Sequence, residues 1–342
     1  MFLSIAPYRL LFKGSFGTAH GARDGTDSVF VRLERNGRTG FGEATMPPYL
    51  QETQSSVIDA LRHVDLQKLE NHGLKDLDDL PPCARAALST AYYDLISKEK
   101  GRSIESLLEL PVIDHREPIS LITLGLTECD KIPEKLDQLP PFNGLKVKLD
   151  GNADLERLEM IMRSDQRLLL IDANQAWTKL EQALDVIDLI GSERLIGLEQ
   201  PFPLERLELQ EELIRQTNIP IYADESIKNL QDLDRLAGSF SGVNLKLMKC
   251  GGLDIAGAMA KRAHELGLNV MLGSMSESSL GCGAMFQLAP IADVLDLDGP
   301  WLIGNDPFEG LILEGGELRM RDRSKAFDQR DDSTLSWRPV GA

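Results

Sequence analysis

Three carboxylates close three successive apolar runs of the chain: Asp172 in LLLIDANQ, Glu199 in LIGLEQPF and Asp224 in IPIYADES. Each lies about one strand-plus-helix unit from the next. A carboxylate at the end of a buried strand is costly unless something pairs with it. Any one of the three alone reads equally well as the cap of a following helix, a role Asp fills readily. Three in the same position on neighbouring strands make an all-oxygen site for a hard divalent cation such as Mg2+.

Lysines accompany them. Lys146 and Lys148 share the run LKVKL, where period two puts both on one face. Lys246 sits near the end of another strand-like run, in VNLKLMK. Lys249, three residues on, competes for the same role but faces the other way or begins the loop. Amines on opposite sides of a substrate suit a reaction in which one removes a proton from carbon and the other returns it to the opposite face. A proton α to a carboxylate is very weakly acidic, and its loss leaves an enediolate with two negative charges on oxygen. A divalent ion stabilises those charges more than the single charge of the ground state. Lysine acts as a base only where its pKa falls, and a neighbouring ammonium and a nearby cation both lower it. Lys148 and Lys246 are therefore the expected acid/base pair, with Lys146 as their helper.

Asp296 and Asp298, in VLDLDGP, again share a face by period two. They lie too far along the chain from the first three to be obvious metal ligands. Two adjacent carboxylates in a cavity prefer a cationic partner, and a substrate's free α-ammonium group would serve. A helix cap or a second metal site is the alternative.

These groups need a scaffold. From about residue 119 a β-rich apolar run, an amphipathic stretch and another run recur. The runs are ISLITLGL (119–126), GLKVKL (144–149), RLLLIDAN (167–174), LIGLEQP (195–201), IPIYADES (219–226), GVNLKLMK (242–249), LNVMLGSM (268–275) and VLDLDGP (294–300). The segments between them carry helical spacing, as at Leu155, Leu158, Ile161 and Met162. Strands alternating with helices imply an α/β fold with a parallel sheet, and eight units imply a closed (β/α)8, TIM-like barrel over residues 118–310. In such a ring strands two and six, the lysine strands, are diametrically opposite, and the strand of Glu199 lies midway. Residues 1–117 read as an α+β capping domain. They hold alternating runs at 2–12, 28–34 and 38–44, a turn at Asn36–Gly37, and helical stretches around 52–64 and 81–98. LILEGGELRM, from residue 311, reads as a short strand pair, with 311–342 returning to the capping domain. No low-complexity linker separates the parts, so a site at their interface is expected.

The bulk numbers exclude some functions. The formal net charge of −17 argues against non-specific binding to nucleic acid or an anionic membrane. No apolar run among the 342 residues approaches the ~18–20 needed for a membrane span. The opening MFLSIAPYRLLFKG lacks a basic leader and a cleavage site, and reads as a strand. Cys83, Cys129, Cys250 and Cys282 are scattered with no CxxC pair, which predicts reduced thiols in a cytoplasmic protein. The expected partner is a small molecule, and assembly into a homo-oligomer stays open.

The strings GLKVKL, IDANQAW, LEQPF, ADES, VNLKLMKCGG and GSMSESSLG, in this order, resemble the enolase superfamily in its muconate-lactonizing subgroup. FGEA (41–44) and ARAALSTAYYDLISKEKG (84–101) look like that family's capping domain. The Asp-x-Asp at 296–298 resembles the dipeptide epimerases, where the pair holds the dipeptide's N-terminal ammonium. The resemblance implies Mg2+ on Asp172, Glu199 and Asp224, with the C-terminal carboxylate of the dipeptide on the metal. It also implies inversion of the C-terminal residue's α-carbon by Lys148 and Lys246. A capping-domain loop covers the site in that family; here it is expected around 15–27, SFGTAHGARDGTD, with His20 and Arg23 as candidates to touch the substrate. An inward Arg23 would favour an acidic side chain and hence L-Ala-D/L-Glu epimerisation, the best-known family activity. Tyr49 and Leu50, in a second loop (46–53), would favour an apolar one.

Other readings remain. Muconate-type cycloisomerase and o-succinylbenzoate synthase share the scaffold, but their acids carry no ammonium for Asp296 and Asp298. A Schiff-base lysine aldolase has no need of three carboxylates. A non-enzymatic binding protein on this fold predicts affinity without exchange of an α-hydrogen.

Overall fold

The computed structural model describes residues 1–18, 21–77, 79–111, 117–321, 327–331 and 333–340. The chain opens with an antiparallel meander, β1 (Phe2–Thr18), β2 (Gly21–Arg35) and β3 (Arg38–Met46). Asn36 and Gly37, both at positive φ, form the tight turn between β2 and β3 expected from the sequence. Helices follow, the three longest being Gln54–Arg62, Leu66–His72 and Pro82–Lys100. The last packs along β3.

Eight parallel strands then close into a barrel: β4 (Ile119–Leu124), β5 (Gly144–Lys148), β6 (Leu168–Asp172), β7 (Leu195–Glu199), β8 (Ile221–Ala223), β9 (Gly242–Leu245), β10 (Asn269–Gly273) and β11 (Val294–Asp296). They follow chain order around the ring, and β11 pairs back to β4. Leu121, Leu170, Tyr222, Met271 and Val294 fill the interior below the catalytic end. The Tyr222 ring fits because β7 and β9 carry glycine beside it: a Cβ on Gly197 or Gly242 would come within 2.6 Å of that ring. No helix among the described residues is long and apolar enough to cross a membrane.

Two segments depart from expectation. The stretch 15–27 is not a free loop. β1 and β2 stay paired to Leu11↔Gly25, shift register, and resume at Phe16↔Arg23 through Thr18↔Gly21. β3 stops pairing at Asp27↔Met46, so the hairpin runs on as two strands alone. With no third strand pairing it along its length among the described residues, this extension carries no apolar alternation and reads as loop. Secondly, the strand pair Leu311–Glu314 and Glu317–Met320 docks on the barrel, not on the cap: the Leu318 amide donates to Ser120 Oγ (3.0 Å) and the Asn143 amide to Gly316 O (3.0 Å). The return to the cap is made further on, by Arg338–Pro339, which pairs with Ser4 and Ile5 of β1.

Cap and barrel are joined by buried polar contacts. Arg85, on Pro82–Lys100, grips Asp254 through two nitrogens at 3.0 and 2.8 Å. Glu43 of β3 accepts the amides of Ser278 (3.0 Å) and Gly281 (2.9 Å), at the start of the helix Ser279–Phe286. A carboxylate there complements the unpaired amides of the helix N-terminus.

Candidate active site

Strand register brings the sequence-predicted groups to one end of the ring. Lys148 stands opposite Asp172 across β5 and β6, and Asp172 opposite Glu199 across β6 and β7. Asp224 follows β8 directly, and Lys246 follows β9. A cavity of about 650 Å3 opens over them, with Lys146, Lys148, Asp224, Lys246, Asp296 and Asp298 on its wall. The cap contributes Arg23, Tyr49 and Leu50. Asp172 and Glu199 are fully buried, in contact with Lys146. His20 lies outside the described residues.

Each amine is held by carboxylates. Lys146 Nζ lies 2.7 Å from Glu199 Oε2, 2.8 Å from Asp296 Oδ2 and 3.3 Å from Asp172 Oδ2. Lys148 Nζ is 2.7 Å from Asp172 Oδ2 and 3.4 Å from Asn174 Oδ1. Lys246 Nζ donates to Asp224 Oδ2 at 2.8 Å. Buried charges require such pairing. Among the described residues no three His, Cys, Asp or Glu side chains converge as a finished metal centre; the amines reach between the three carboxylates instead.

A lowered lysine pKa was expected from a neighbouring ammonium together with a cation; the protein's own groups, taken by themselves, act in the opposite direction. Burial does pull Lys146 and Lys246 down, but the surrounding carboxylates outweigh it. Asp296, Glu199 and Asp172 lift Lys146 well above its ordinary value, and Asp224 lifts Lys246. The carboxylates answer in kind. Burial pushes Asp172 up, yet Lys148 and Lys146 bring it down to about 2. Asp224 falls well below the usual range despite its burial, between Lys246 and Lys249. Glu199, raised by burial and by Asp172, stands at about 8.

Two groups escaped the sequence reading, and a third, Lys249, was left open. Lys249 is not turned away: its Nζ reaches Asp224 Oδ1 (2.6 Å), Asp224 O (2.6 Å) and Asn244 O (2.9 Å). It sits in the helical turn Leu247–Cys250, where a three-residue step returns to the same side as Lys246. Asn244 Nδ2 donates to Glu199 Oε1 at 2.8 Å. Its position two before Lys246 on one strand was the available signal. The Thr123 amide donates to Asp298 Oδ2 at 2.7 Å, a contact that no spacing announces.

Asp296 and Asp298 do share the cavity wall, but differ in what they touch. Asp296 is engaged by Lys146, whereas the Asp298 carboxylate accepts from Thr123. Burial and the charge of Asp296 raise Asp298 to about 6.

A barrel mouth with opposed amines, central carboxylates and a distal Asp pair has close relatives. Residues 132–312 match the family model described as Enolase C-terminal domain-like. The chain is 37% identical to an L-Ala-D/L-Glu epimerase of Bacteroides thetaiotaomicron, over 94% of this chain and 86% of that one. It is 31% identical to an L-Ala-D/L-amino acid epimerase of Flavobacterium johnsoniae, over 92% and 96%. A solved dipeptide epimerase of Methylococcus capsulatus, complexed with Mg and the dipeptide L-Arg-D-Lys, matches with a TM-score of 0.81 at 28% identity, over 94% of this chain and 97% of that one. Site geometry, fold and sequence therefore agree that the chain belongs to the enolase superfamily, among its dipeptide epimerases.

Proposed function

We propose that the protein is a Mg2+-dependent dipeptide epimerase that inverts the α-carbon of the C-terminal residue by 1,1-proton transfer, with L-Ala-D/L-Glu as its preferred pair. The observation that carries this reading is the placement of Lys148 and Lys246: their strands, β5 and β9, are opposite members of an eight-strand ring, and both amines line one cavity. An α-carbon held between them presents one face to each. One amine removes the proton and the other returns it. Lys246 leaves its contact with Asp224 to act as the base; as the acid it is already charged.

Asp172, Glu199 and Asp224 are the residues that would hold Mg2+. The donor set is all oxygen, lies on adjacent strands, and includes Glu199 Oε2, a buried atom with no well-formed hydrogen bond. When bound, the ion supplies positive charge against the second negative charge of the enediolate. Lys146, touching Asp172, Glu199 and Asp296 together, keeps these carboxylates at a fixed spacing. Asp296 and Asp298 are assigned to the substrate ammonium. Arg23 is assigned to the second side chain: it lines the cavity, and its Nε and Nη1 are buried without a hydrogen-bond partner. A carboxylate is the acceptor that suits such an edge.

The test is a dipeptide library incubated in D2O with Mg2+. A gain of one mass unit at the C-terminal residue of L-Ala-L-Glu and L-Ala-D-Glu is expected, and a library with no labelled dipeptide would return the assignment to the lactonizing rivals. The pH profile gives a second expectation. Asp298 must be ionised to hold an ammonium, and it titrates at about 6. The substrate's α-ammonium loses its proton near ~8. KM for the dipeptide, which reads ammonium capture, should therefore rise about tenfold per pH unit below pH 6, stay level between 6 and 8, and rise again above it. A profile flat from pH 4.5 to 7 would remove Asp298 from the ammonium site.

A further inference from the structure

We infer that Phe12 and Tyr49 are positioning residues that set the preference for an acidic second side chain, by holding the Arg23 guanidinium against two rings anchored to the barrel. This deepens the assignment of Arg23 above and rests on it. Arg23 Cζ lies 5.5 Å from the Phe12 ring centroid and 5.7 Å from that of Tyr49. The register shift between Leu11 and Phe16 of β1 falls where β2 carries Asp24, next to Arg23. Such irregularities re-aim side chains at the rims of sites.

Neither ring is held by the cap alone. Phe12 forms a backbone bridge to Ile303, and the Gly304 amide donates to Leu11 O at 2.8 Å. That barrel segment directly follows Asp298 and the short helix Gly299–Leu302. The Tyr49 hydroxyl lies 3.3 Å from Met275 Sδ, in the loop after β10. Arg23 thus belongs to the hairpin, while the rings that fix it report the position of two barrel loops. Tyr49 is 41% exposed, so these contacts rather than core packing place it.

The chemistry follows from the shape of the group. A guanidinium is planar, its faces take rings and its edge takes hydrogen-bond acceptors. An unheld arginine on a two-stranded extension would lose much rotamer freedom on meeting a substrate. One already stacked does not, and its desolvated N–H groups penalise any side chain that brings no acceptor. The rings therefore act on selectivity, through Arg23, and not on the proton transfer.

The readout is the ratio of kcat/KM for L-Ala-L-Glu to that for L-Ala-L-Leu, followed by α-deuterium incorporation. Arg23→Ala sets the floor. Tyr49→Leu and Phe12→Leu should each lower the ratio about tenfold, through KM for the glutamyl substrate rather than through kcat. Tyr49→Phe, which keeps the ring but loses the hydroxyl contact to Met275, should lower the ratio less than Tyr49→Leu does. If both leucine variants slow the two substrates in equal proportion while Arg23→Ala collapses the ratio, the inference is overturned and the role of Arg23 stands. If Arg23→Ala leaves the ratio untouched, both fall together. Should Phe12→Leu fail to fold, Tyr49→Leu at its exposed position carries the same decision.

Discussion

Lys148→Ala and Lys246→Ala should each abolish epimerisation yet leave exchange of the α-proton in D2O from one epimer only, and the surviving epimer should be opposite in the two variants. The expected loss is 10²–10⁴-fold, the range for removing a positioned acid or base. Stereo-resolved exchange followed by proton NMR measures it. The loss is chemical because the fold keeps its charge balance. Without Lys148, Asp172 still has Lys146 at 3.3 Å. Without Lys246, Asp224 still has Lys249 at 2.6 Å. Neither variant strands a buried carboxylate, which is the usual cause of large destabilisation at such sites. Lys146→Ala differs, since it removes the contact shared by Glu199 and Asp296 and should suppress exchange from both epimers. Equal exchange of both epimers in either single variant would point to one base and dismiss the opposed pair.

Where the backbone was regular, its period was enough to read the site. Lys146 and Lys148, or Asp172 and Glu199, sit on strands whose alternation dictates their face, and the ring places β5 opposite β9 as soon as eight strands close. Legibility failed where regularity stopped. Lys249 lies past the end of β9, in a helical turn, so of the two readings left open, turned away or at the start of the loop, the second holds. Arg23 sits on a two-stranded extension beyond the reach of β3, where nothing buried imposes a pattern and glycines read as loop. The charges around the lysines were hidden for a different reason. Sequence shows which charges are near in the chain, whereas Asp296, 150 residues on, meets Lys146 only because the ring closes β11 onto β4, beside β5, and there it helps to raise that lysine. The tail misled by position: the hairpin at 311–320 finds Ser120 and Asn143 at the barrel's rim before the chain reaches β1.

Removal of divalent cations should silence the enzyme more completely than any loss at the cavity rim. The enediolate carries one negative charge more than the substrate, and it forms among Asp172, Glu199, Asp224, Asp296 and Asp298. Four lysines are already paired with four of those five carboxylates, so little positive charge is left to meet the new one. An ion that contributes about 4 kcal/mol at the transition state corresponds to about 10³-fold in rate. EDTA-treated protein should therefore show exchange reduced at least that far, with recovery on titration of Mg2+. Binding should also register without turnover. A cation present at 100 times its dissociation constant stabilises the fold by about 2.7 kcal/mol, so the melting temperature should climb with the logarithm of Mg2+ concentration. Asp172→Asn and Glu199→Gln should flatten that climb, because each exchanges a charged oxygen donor for a neutral one in the same place. Asp298→Asn should leave the climb intact while raising KM, since Asp298, unlike Asp296, shares no lysine with the three. Full activity after chelation, combined with a melting temperature indifferent to Mg2+, would replace charge stabilisation by a cation with covalent lysine chemistry of the Schiff-base kind, which borohydride trapping would then detect.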